Sequence, residues 1–123
     1  MCDPISTDPK KFGCGVWFSI HMLARNCKKD SDEDNFISFM NMISQTIPCK
    51  RCREHCVRFM ETHKMENFKG LIDNFGNRIG LFKWSVSIHN SVNLRLGKPL
   101  VNMSDAYMIY DADIMCQDKC GTD

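Results

Sequence analysis

Three cysteines and a histidine fall within eight positions of the stretch TIPCKRCREHC, residues 46 to 56, behind Pro48 and among Lys50, Arg51, Arg53 and Glu54. Cys49 and Cys52 stand three residues apart. At the start of a helix that spacing sets both sulfurs on one side of the first turn, close enough to form a disulfide with little backbone change. The helix N-terminus and the cations Lys50, Arg51 and Arg53 favour thiolate over thiol, which raises reactivity toward disulfides. A second chemistry fits the same letters. Cysteines at this spacing open many zinc sites, and His55 and Cys56 can complete a ligand set with Cys49 and Cys52. A second half-site is poorly provided, since Cys116 and Cys120 have three residues between them rather than a knuckle's two. A redox pair, a zinc-stabilised helical interaction module and a structural disulfide all stay open on this stretch alone.

The rest of the chain narrows the setting. Its 123 residues suit one domain over 1–123, with an irregular lead-in over 1–9 and a cysteine-containing tail over 116–123. A net charge of +1 gives no electrostatic case for nucleic acid or an acidic membrane surface. With 43% hydrophobic and 25% charged residues the composition is that of an ordinary globular domain. Eight cysteines exceed what a cytosolic domain of this size needs, so cysteine use is the feature to explain. The opening residues MCDPISTDPKKFGCG show no secretion signal. The longest apolar run, GVWFSIHMLA, is broken by His21 and is half the length a bilayer requires.

Apolar periodicity predicts helices over about 10–28, 32–46, 48–63, 77–96 and 104–116, with Ser31 or Asp32 capping the second and Pro48 in the first turn of the third. A loop with a short helical piece is expected over 64–76, and Gly97 and Pro99 close the fourth helix. The expected fold is all-α, an antiparallel four-helix bundle with a fifth short C-terminal helix. Two of these helices carry polar groups that are costly to bury without partners. His89 and Asn93 lie at i, i+4 with Asn90 beside them, and Lys98 follows the helix end. Trp17 and His21 are again i, i+4 neighbours on the first helix. Together they offer rings that can sandwich a planar heterocycle. The plainer reading makes Trp17 and Trp84 core residues and His21 and His89 satisfied core histidines.

The segments WFSIHMLA, IPCKRC and HNSVNLRLGKP, in this order, resemble the WxxLHxxA, YPCxxC and HNxVNxxLGKP segments of the Erv/ALR flavin-linked sulfhydryl oxidases. The resemblance spans about Gly13 to Pro99. It implies a four-helix bundle with a fifth helix, FAD held at one end of the bundle, and oxidation of substrate dithiols with oxygen reduced to hydrogen peroxide. By position Cys52 corresponds to the flavin-proximal sulfur and Cys49 to the exchanging one. Trp17, His21, His89, Asn90, Asn93 and Lys98 match the family's FAD contacts, with Lys98 meeting phosphate. Tyr110 falls where many members have a tryptophan against the cofactor.

The departures are specific. Cys14 stands where a basic residue is usual, with Lys10 or Lys11 as substitutes, and Ile47 replaces a tyrosine. Val86 and Met103 replace a bridging cysteine pair found in many cellular members. The resemblance makes Cys116 and Cys120 either a shuttle pair or a structural or intersubunit disulfide. Cys14 and Cys27 are expected to be buried free thiols, or to pair across a dimer interface, and Cys56 to be a packed thiol. The implied partners are a protein dithiol or a thioredoxin-like or other redox carrier, oxygen, and a second copy of the chain in a homodimer. The implied location is a viral host's cytoplasm or virion, with the mitochondrial intermembrane space as alternative.

Overall fold

The computed structural model describes residues 8–111, so the expectations for Cys116 and Cys120 and for a helix continuing past 111 fall outside the described residues. The chain runs through α1 (Pro9–Arg25), α2 (Asp30–Thr46), α3 (Lys50–Thr62), a single 3-10 turn (Met65–Asn67), α4 (Gly80–Leu96) and α5 (Met103–Ile109). Among the described residues no strand forms; one isolated antiparallel bridge pairs Ile72 with Arg78. The all-helical bundle with a short fifth helix is as expected.

Local chemistry sets the boundaries, and several differ from the periodicity. Asn26 stops α1 before residue 28, its side-chain amide donating to the Met22 carbonyl at 2.8 Å. Lys29, rather than Ser31 or Asp32, is the N-cap of α2. Asp32 sits inside the first turn and its carboxylate accepts the backbone N–H groups of Lys28 and Lys29, at 2.9 and 3.2 Å. Pro48 lies before α3, not in its first turn. It holds Ile47 extended at ψ 131°, which ends α2, and leaves Cys49 as the α3 cap. The Ile72–Arg78 bridge keeps 77–79 out of α4. Asn102 caps α5, accepting from the Asp105 N–H at 2.8 Å, so that helix begins at Met103 rather than at 104, and Tyr110 ends it.

α4 is the central element, packed on α1, α3 and α5, while α2 packs on α3 and α1. Its Leu81, Phe82, Trp84, Val86 and Ile88 are buried with Ile20, Ala24, Phe36, Met40 and Phe59 from the helices around it. Trp84 is the core tryptophan, fully buried, with its indole N–H donating to the His63 carbonyl at 2.7 Å. The buried Glu33 ties α2 to the approach to α4 by pairing with Arg78 at 2.7 Å and accepting the Gly70 N–H. A Cβ at Gly80 would lie 1.8 Å from the Phe68 carbonyl oxygen, so the entry to α4 requires glycine. At the other end Gly97, φ 70°, turns the chain in the left-handed conformation.

Candidate functional site: a cysteine pair and a histidine cluster

Cys49 is the α3 N-cap in both backbone and side chain, since its sulfur accepts the Cys52 backbone N–H at 3.2 Å. Burial acts to raise Cys49. It is outweighed by hydrogen bonds from the Cys52 thiol and from the Cys52 and Arg51 N–H groups, and by the Arg95 charge, so the thiol lies below its ordinary range. Cys52 goes the other way. Burial, its hydrogen bond to Cys49 and the negative charge there push it up to about 11, with Arg95 opposing. Of the two sulfurs, Cys49 is therefore the one that gives up its proton more readily.

This corrects the expectation that both sulfurs are activated by their sequence neighbours. Lys50 pairs with Glu54 at 4.0 Å and Arg53 donates to the Ile47 carbonyl at 2.6 Å. The effective cation, Arg95, comes from α4 and was not singled out by the sequence. Its position one turn after Ser91, which meets His55 of α3, is the signal that could have found it.

The second centre lies between α1 and α4. His21, 2% exposed, holds Ser85 Oγ at 2.9 Å through Nδ1 and His89 Nδ1 at 2.8 Å through Nε2. Trp17 lies flat on His89, with ring centroids 3.9 Å apart and planes 4° from parallel. Tyr110 tilts over His21 at 4.6 Å. Both imidazoles are held neutral. Burial, with the nearby His89, lowers His21 to about 3, and burial, with the Lys98 charge, lowers His89 to about 4.

Trp17, His21, His89 and Tyr110 are thus brought together as predicted, but the expected sandwich is not: Trp17 and His89 stack on each other with no gap between their rings. The Asn90 amide exchanges two hydrogen bonds with the Val101 backbone, at 2.8 and 3.0 Å, so it pins the segment after α4. Asn93 is 8% exposed, yet its amide has no hydrogen-bond partner among the described residues. His89 Nε2 likewise has none. Two polar groups without protein partners, beside the exposed ammonium of Lys98, suit a ligand carrying hydroxyls, amides and phosphates, and an FAD molecule fits that description.

His55 turns to Ser91 at 2.8 Å and the Cys56 thiol to the Met60 sulfur at 3.8 Å. No group of three or more metal-binding side chains converges among the described residues. Cys56 and Cys27 are packed thiols, both pushed by burial to about 11, whereas Cys14, expected to be buried, is exposed on α1. The open grooves of about 470 and 410 Å³, beside Arg53 and Arg58 and beside Phe82 and Tyr107, contain neither the cysteines nor the Trp17–His89 stack. The chemistry, not the volume, marks the site.

A model of the Erv1 / Alr family matches residues 14–111. A protein of Frog virus 3 (isolate Goorha) named as an FAD-linked sulfhydryl oxidase is 31% identical over 111 residues, covering 85% of this chain and 69% of its own. One of Invertebrate iridescent virus 6 with the same designation is 30% identical over 102 residues, covering 80% of this chain and 91% of its own. In fold, the crystal structure of the yeast Erv1 core superposes with a TM-score of 0.71 at 21% identity, over 89% of this chain and 86% of that one.

Proposed function

The chain belongs to the Erv1/Alr family, and on that footing we propose how its residues divide the work of an FAD-dependent thiol oxidase acting on protein thiols. The observation that carries the division is the opposite proton affinity of two adjacent sulfurs, Cys49 lowered and Cys52 raised to about 11.

Starting from a Cys49–Cys52 disulfide, a substrate thiolate attacks the Cys49 sulfur. The bond to Cys52 breaks, and Cys52 leaves with the electron pair and takes up a proton. The second substrate thiol then attacks the substrate sulfur of the mixed disulfide and expels Cys49. Cys49 leaves readily in this second step because its thiolate is stabilised by the backbone N–H groups of the helix start and by Arg95. The substrate has lost two electrons as a disulfide and the pair has gained them, and the two thiol protons pass to the pair or to solvent, Cys52 holding its proton the more tightly. The chemistry FAD supplies when bound is acceptance of that electron pair and its delivery to oxygen, giving hydrogen peroxide.

Trp17 and Tyr110 supply aromatic surface for the cofactor, His89 and Asn93 supply polar contacts, and Lys98 supplies a cation for phosphate. His21 acts behind His89, and Asn90 acts by holding Val101. The substrate is a protein dithiol or a thioredoxin-like carrier. The exposed Phe18, Leu23 and Met42 of α1 and α2 support association of two copies. The viral relatives support action in a host's cytoplasm or virion, with the mitochondrial intermembrane space as the alternative. No helix among the described residues is long and apolar enough to cross a membrane.

Purified protein passed through a desalting column is expected to stay yellow, with flavin absorbance at one per chain. Colourless protein with stoichiometric zinc would overturn the reading and restore the Cys49, Cys52, His55 and Cys56 alternative.

A further inference from the structure

The hydrogen bonds linking α4 to the histidine cluster allow only one placement of their protons. Ser85 Oγ lies 2.6 Å from the Phe82 carbonyl oxygen, and a carbonyl cannot donate, so the serine hydroxyl must donate there. With its proton spent, Ser85 can only accept from His21, which places the His21 proton on Nδ1, 2.9 Å away. The His21 Nε2 atom is then a bare acceptor, and the atom 2.8 Å from it, His89 Nδ1, must be the donor. A neutral His89 protonated at Nδ1 has no proton on Nε2, the atom left without a protein partner.

We propose that Ser85 is a positioning residue: through His21 it fixes the tautomer of His89, so that His89 offers its ligand a hydrogen-bond acceptor and selects a donor. Resting on the FAD reading above, this assigns to His89 a hydroxyl or amino group of the cofactor and excludes a carbonyl or phosphate oxygen. Ser85 is fully buried and touches no ligand itself, so it acts only through this chain of bonds. Doubly protonated histidine would break the logic, because Nε2 of His21 would then face another donor. Burial and the neighbouring charges hold both rings neutral down to acid pH, so the single arrangement persists at neutrality.

The test is nitrogen-15 NMR of the histidine side chains in the flavin-bound protein at pH 7, where protonated and bare ring nitrogens are well separated. The proposal expects Nδ1–H, Nε2-bare imidazoles for both His21 and His89. Protonation of His89 at Nε2 overturns it, with no variant required. Ser85→Ala should move His21 toward the Nε2–H form and weaken flavin retention by about tenfold, the size of one lost hydrogen bond. Ser85→Cys, of nearly the same volume and with a weak donor, should fall between. Unchanged tautomers in a folded Ser85→Ala protein would also overturn the proposal. Failure of the FAD reading looks different: wild-type protein without flavin, whatever its imidazole signals.

Discussion

The two halves of the site treat ionisation in opposite ways. At the start of α3 a half-buried sulfur is shifted toward the thiolate by backbone N–H groups of the helix start and a cation, while its partner is shifted toward the thiol. Between α1 and α4, a buried and a half-buried imidazole are kept uncharged and are ordered by a hydrogen-bond chain that ends on a backbone carbonyl. The first arrangement serves group exchange, which needs a charged nucleophile or leaving group at the surface. The second serves binding, which needs fixed donors and acceptors that do not titrate under working conditions. α4 links them. Ser91 and Arg95 meet α3 while His89 meets α1, and 200° of rotation separates His89 from Ser91 on an α-helix turning about 100° per residue.

The largest test of this contrast is Trp17→Ala. Loss of the ring stacked on His89 should destabilise the protein by about 3 kcal/mol and release flavin, while Cys49→Ser leaves flavin content intact. Thermal melting with visible absorbance checks both.

Acid comes next. Below the ordinary histidine value of 6.5 the unfolded chain takes up protons that folded His21 and His89 refuse until about 3 and 4. Stability present above 6.5 is therefore lost as pH falls through that window, by up to about 1.4 kcal/mol per pH unit for His21 and by less for the more exposed, solvent-screened His89. Denaturant melts from pH 7 to 4 should show this slope, flattened in His21→Asn; an equal slope in the variant would place the acid sensitivity elsewhere.

A smaller effect separates the sulfurs. Iodoacetamide at pH 7.5, followed by peptide mass spectrometry of the reduced protein, should modify Cys49 at least roughly tenfold faster than Cys27, Cys52 or Cys56. Arg95→Gln should slow Cys49 by less than about tenfold, with the difference shrinking in high salt, because exposed charges are screened.

The helix count, the cysteine pair and the ring-bearing residues were legible because each rests on local spacing. What escaped the sequence depends on neighbours distant in the chain. Arg95 meets the cysteines only because α4 crosses α3, and Ser85 looks like filler until it faces His21, 64 positions away. The bonds of Asn90 to Val101 were also out of reach, because they join residues 11 positions apart across the turn after α4. Pro48 was expected inside α3 because proline suits a first turn. The cysteine after it competes for the cap with a sulfur that accepts a backbone N–H, and that moves the helix start by two residues.

Oxygen uptake driven by a dithiol, measured on Cys52→Ser protein that still carries its flavin, tests the central claim most directly. The account predicts that uptake falls to the background of flavin without the cysteine pair while the absorbance of bound flavin persists. Uptake at the wild-type rate would show that electrons reach oxygen without Cys52 and would contradict it.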